Sequence, residues 1–160
     1  MPKSSLIKFI LVFAVTLILQ ITIIPYLQIA NWKPDLLLIM VVIFALQTGP
    51  SGGSSAGFFT GLAGDLASAH LVGLGALSRT VSGYLAGALK GKLRERSQFI
   101  ITLFLAGFMN DFIFYSITTL GKDFSWKLIF FIYIIPNLFY TVLLGLGIYY
   151  TLGNWLTVEA

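Results

Sequence analysis

Few side chains in this sequence can do chemistry. Ten Lys and Arg, six Asp and Glu, one His and no Cys are spread over 160 residues. Without Cys there is neither a disulfide nor a thiolate metal site, and one histidine, His70, can build neither a His cluster nor a Ser-His relay. No phosphate loop, GxSxG elbow, HExxH or paired-carboxylate motif occurs. The serines have no base, since His70 falls at a loop and reads as an interfacial residue. What remains is a set of polar residues inside apolar runs: Gln20, Asp65, Arg79, Asn110, Asp111 and Asn137. Asp65 and Asp111 could in principle act as an acid/base pair, but with Arg79 near, a salt-bridged group is the simpler account. Neither an enzyme nor a cofactor is expected.

The elements that carry these residues belong in a membrane. The chain is 58% hydrophobic and 10% charged, with a mean hydropathy of +0.93, against roughly 25% charged in a soluble domain. The net charge of +4 does not read as a nucleic-acid signal. Lys90, Lys92, Arg94 and Arg96 form one short run between apolar stretches, the pattern of a cytoplasmic loop. A helix needs about 20 apolar residues to cross about 30 Å of hydrocarbon. Segments Leu6–Leu27, Asp35–Thr48, Ser54–Ala69, Leu71–Leu89, Phe99–Leu120 and Leu128–Leu152 approach that, the second and third being short. The spacing predicts an all-α integral membrane protein of about six spans in a single transmembrane domain, 1–160. Five spans result if the second does not cross. The first apolar run is too long for a signal-peptide core of roughly 7–15 residues, and it reads as a retained helix.

Turn signals separate most of the segments, at Asn31-Trp32-Lys33-Pro34, Gly49-Pro50-Ser51-Gly52-Gly53 and Gly121-Lys122-Asp123, while the connection near His70 has no obvious breaker. With the N-terminus inside, the inner side holds Lys3, Lys8, Lys90, Lys92, Arg94 and Arg96, and the outer side Lys33, Lys122 and Lys127. The excess of inner Lys and Arg predicts both termini in the cytoplasm. The pairs Trp32-Lys33 and Trp126-Lys127 then fall in outer loops, where interfacial aromatics and snorkelling lysines belong.

Eleven of the 16 glycines lie between Gly49 and Gly91, and small residues let membrane helices approach closely. Gly53, Gly57, Gly61, Asp65 and Ala69 recur every fourth residue in the third segment, and Gly75, Arg79, Gly83, Gly87 and Gly91 in the fourth. An antiparallel hairpin turning near Val72 would pair Gly53 with Gly91, Gly57 with Gly87, Gly61 with Gly83 and Asp65 with Arg79. A charge in hydrocarbon needs a partner, which adds to the case for that ion pair. Asp111 with Asn110, Asn137 beside the kink residue Pro136, and Gln20 fall at a similar depth in the outer half. Two readings stand: a satisfied polar layer that fixes helix register, or a ligand pocket or partner-sensitive switch. A short echo, Gly61 to Leu66 against Gly107 to Phe112, is too short to establish a duplication.

Several motifs together resemble the MreD family, the small membrane subunit of the bacterial rod-shape machinery. They are Lys33-Pro34-Asp35-Leu36-Leu37-Leu38, then Gly57-Phe58 with Gly61, Gly64, Asp65 and Leu66. Gly73, Gly75-Ala76-Leu77 and Gly83-Tyr84-Leu85 with Gly87 complete the set. The likeness covers about Lys33 to Gly91 by motif and the final spans by hydropathy. The resemblance implies a non-enzymatic scaffold in the bacterial inner membrane. It would bind MreC and support the RodA glycosyltransferase, a class B penicillin-binding protein, MreB filaments and peptidoglycan synthesis during cell elongation. It also implies a fold like the substrate-binding subunits of energy-coupling-factor vitamin transporters, which supplies the alternative, a transporter subunit. Those subunits typically dock through an Ala-xxx-Ala face on the first helix, whereas Leu6–Leu27 holds a single alanine, Ala14.

Overall fold

Apolar runs without water on either side satisfy their backbone only as helices, and helices account for nearly all of the regular structure. The computed structural model describes residues 3–29, 32–68, 71–121 and 125–156. Asn31, Ala69, His70, Lys122 and Asp123, named above, lie outside the described residues. The helices are α1 (Lys3–Thr22), α2 (Leu36–Thr48), α3 (Pro50–Ser68), α4 (Leu74–Ala88), α5 (Glu95–Thr118), α6 (Trp126–Ile129) and α7 (Ile135–Leu156). A π-helical turn, Phe130–Ile134, joins α6 to α7, so that 126–156 is one continuous helix.

Prolines set several of the boundaries. The first span was expected to run to Leu27, but α1 stops at Thr22 and gives way to turns around Pro25, which has no N–H to continue the ladder. The stretch from Gly49 to Gly53 was expected to be a turn, but only Gly49, at φ 89°, stands between α2 and α3. Pro50 opens α3, the one helical position where its missing N–H costs nothing. Pro136 likewise leaves the Ile132 carbonyl four residues earlier without its helical donor. The Trp32 indole N–H takes that place, donating to the Ile132 oxygen at 2.8 Å.

Helix α2 is the axis of the bundle. Nine consecutive residues, Leu37 to Ala45, are buried on it, so all its faces meet protein. The other helices turn apolar side chains outward: Leu11 and Ile18 on α1, Phe59 and Leu66 on α3, Phe104 on α5, and Phe139 on α7 are exposed. Polar side chains such as Ser78, Ser82, Thr102 and Asn137 are buried. Polar-in and apolar-out is the reverse of a water-facing surface and suits a lipid solvent. Helices Ser97–Thr118 and Trp126–Thr151 are long and apolar enough to cross a membrane.

Helices α3 and α4 form the most extensive pairing, an antiparallel hairpin packed backbone to backbone. A Cβ on Gly53 would meet the Gly83 carbonyl, one on Gly57 the Arg79 carbonyl, one on Gly61 the Gly75 carbonyl and one on Gly87 the Gly49 backbone, all well inside 3.0 Å. Glycine is therefore required for this approach. The register differs from the expected one: Gly53 faces Gly83 rather than Gly91, and Gly57 faces Arg79 rather than Gly87. Helix α4 has slipped by about two turns, roughly 12 Å along its axis. The cause is Asp65, which holds the first turn of α4 instead of a side chain farther along it.

Candidate functional site

The polar residues gather around one extended stretch of chain. Lys33-Pro34-Asp35 precedes α2 in non-helical conformation, with only the Asp35 carbonyl taking a helical bond, from Ile39 N, and Pro34 is fully buried. Non-helical backbone at membrane depth has no water to satisfy it, so its polar groups need partners from the protein. Helices α1 and α7 supply them. Asn137 Oδ1 on α7 accepts from Lys33 N at 3.0 Å, and Thr141 Oγ1, one turn on, accepts from Asp35 N at 3.1 Å. Gln20 on α1 uses both ends of its amide: Nε2 donates to the Pro34 carbonyl at 3.2 Å, and Oε1 accepts from Leu36 N at 2.9 Å. Asn137 Nδ2 passes the network to α5 by donating to the Tyr115 hydroxyl at 3.1 Å.

Asp35 itself has two partners. Oδ1 caps α2 by accepting from Leu38 N at 3.0 Å, and Oδ2 accepts from Arg79 Nη2 at 2.7 Å. The side chains of Arg79 and Asp35 are only 14% and 17% exposed, so the pair is largely removed from solvent. The expected Asp65–Arg79 ion pair is thus replaced by Asp35–Arg79, and no ion pair joins Asp65 to Arg79 among the described residues. Asp65, 3% exposed, spends its carboxylate on backbone N–H groups at the start of α4. It accepts from Gly73 N at 2.9 Å, from Gly75 N at 2.9 Å and from Ala76 N at 3.1 Å. Those groups have no partner inside the helix, and the positive end of the helix dipole favours an anion there. A Cβ on Gly75 would strike Asp65 Oδ1 and crowd Arg79 Nη1, so the glycine keeps space for both charges.

On α5, Asn110 Nδ2 donates to Asp111 Oδ1 at 3.1 Å, while Asn110 Oδ1 is buried with no partner among the described residues. Gln20, Asp65, Arg79, Asn110, Asp111 and Asn137 all line one cavity of about 380 Å³ together with Asp35 and Tyr115. The structure therefore brings the six polar residues of the sequence reading to one place. It adds Asp35, Tyr115 and Thr141, which that reading did not include. Asp35 was recognisable as an acidic residue directly before an apolar helical run, the signature of a helix cap. Thr141 stands one turn from Asn137 on the same face. Among the described residues no group of three or more His, Cys, Asp and Glu could hold a metal ion.

The arrangement binds an irregular segment tightly and leaves a polar hollow beside it. Among the described residues the contacts of these side chains serve to position that segment. A family model described as rod shape-determining protein MreD matches residues 3–156. No curated protein and no solved structure matches the chain.

Proposed function

The chain belongs to the MreD family of rod shape-determining membrane proteins, and from that premise we propose that it is a non-enzymatic interaction subunit of the cell-elongation machinery. In this reading it binds MreC in the bacterial inner membrane and, with it, supports RodA, a class B penicillin-binding protein and peptidoglycan synthesis. The carrying observation is that the family match spans nearly the whole chain, including both final helices. The same match leaves the vitamin-transporter alternative without support.

The proposed architecture is a single transmembrane domain of six spans with both termini cytoplasmic. Helix α2, at 13 residues, is the short one. It reaches about 20 Å at 1.5 Å per residue. Three extended residues ahead of it add roughly 10 Å, and the sum matches about 30 Å of hydrocarbon. The polar clasp on residues 33–36 is what makes such a span tolerable. Apolar side chains exposed on α1, α3, α5 and α7 suit a protein whose work is to be held by other membrane helices.

Affinity purification of the tagged chain from mild detergent tests the reading. MreC should co-purify, and the sample should show no turnover of lipid-linked cell-wall precursors. A preparation without MreC that instead binds a vitamin tightly would contradict it.

A further inference from the structure

Two hollows adjoin in the bundle. Beside the polar cavity lies an apolar groove of about 490 Å³ between α1 and α3, with α2 beneath it. Phe9, Phe13 and Ala14 wall it on one side, and Ala56, Phe59 and Ala63 on the other. Leu17 and Leu37 line both hollows, so the polar cavity and the groove meet there.

The cavity's hydrogen-bonding needs are unevenly met. Asp35 is taken by Arg79 and Leu38 N, and Asp65 by the first N–H groups of α4. Asp111 receives only the Asn110 amide among the described residues, and Asn110, 5% exposed, has an Oδ1 with no partner. The Asp111 carboxylate, which lines the cavity with a single amide donor, suits a cation with several N–H donors. Across the cavity the cationic side chains of Lys33 and Arg79 both line the wall. That side calls for an anion. An ammonium joined to a phosphate meets both demands, and an acyl chain attached to it would enter the groove at Leu17.

We propose that cavity and groove together form a site for a phospholipid whose headgroup carries a primary amine, of the phosphoethanolamine type. The ammonium lies at Asp111 and Asn110, the phosphate toward Arg79 and Lys33, and one acyl chain between α1 and α3. A choline headgroup has no N–H to donate and a glycerol headgroup has no positive charge, so both fit worse. The groove follows α1 from Leu17 back to Phe9, about 12 Å. With the start of α1 in the cytoplasm, as proposed above, the headgroup stands in the outer half and the chain points to the membrane centre. The site therefore takes an outer-leaflet lipid.

The test is native mass spectrometry of the full chain, delipidated in detergent, with phosphatidylethanolamine, phosphatidylglycerol and phosphatidylcholine of identical acyl chains. Phosphatidylethanolamine should be retained roughly tenfold more than either of the others, the scale of one charge-assisted hydrogen bond. Asp111→Asn should abolish that preference, and Ala63→Phe should lower retention of all three lipids by filling the groove. The wild-type preference stands as evidence by itself if either variant fails to fold. Equal retention of the three lipids, or retention of none, would overturn the proposal. Free phosphoethanolamine binding as tightly as the lipid would overturn the role of the groove. None of these results depends on whether MreC binds.

Discussion

An arginine buried among helices cannot shed its charge, so its five donors dictate what must surround it. Arg79 finds Asp35, which lies 44 positions away in the sequence. Removing one partner of a buried pair leaves the other uncompensated, typically at about 3–5 kcal/mol. Arg79→Ala and Asp35→Ala should each lower unfolding free energy in detergent by about that amount. Asp35→Asn with Arg79→Met should recover much of the loss, because the asparagine still caps α2. In double-mutant cycles the coupling of Arg79 to Asp35 should exceed that of Arg79 to Asp65. That Arg79 needs an acidic partner was legible in the sequence, since a charge in lipid demands one. Which carboxylate it takes was not. Asp65 was nearer by helical spacing, but a helix N-terminus competes for an anion, and three backbone N–H groups outbid one side chain.

At the scale of elements, the α3–α4 hairpin is specified by what its glycines lack. A methyl at Gly57 would run into the Arg79 carbonyl, whereas one at Gly147 on α7 meets nothing within 4 Å. Gly57→Ala should therefore destabilise the protein by about 1–3 kcal/mol through overpacking. Gly147→Ala should be neutral or stabilise it by about 0.5–1 kcal/mol, the ordinary gain from replacing a helical glycine. Equal effects at both sites, measured by thermal or denaturant unfolding, would mean the close approach is not what the glycines provide. The glycine rows could be read from four-residue spacing alone. Their register could not, because rows of like residues match equally well after a slip of one or two turns. The contact that breaks the tie, Asp65 against the start of α4, depends on where the connecting segment ends. Pro50 was legible as a breaker, yet its place at the first position of a helix makes it a starter instead.

For the whole molecule, the hydropathy pattern announced a membrane bundle without a structure, because lipid permits few alternatives to the helix. The irregular 33–35 stretch stayed hidden, since its partners come from three helices far apart in sequence. In the proposed architecture it extends α2 toward the length of a span, while the proposed orientation rests on the excess of Lys and Arg on the inner side. In the otherwise cysteine-free chain, Lys122→Cys should react with an impermeant thiol reagent added outside intact cells, and Ser97→Cys should not. Labelling at position 97 from outside would invert the topology. The reading as a subunit of the elongation machinery is tested most directly by cell shape. When the protein is depleted from its own rod-shaped bacterium, cells should swell and become round, and re-expression should restore rods. Cells that keep dividing as normal rods after the protein is gone would contradict the account.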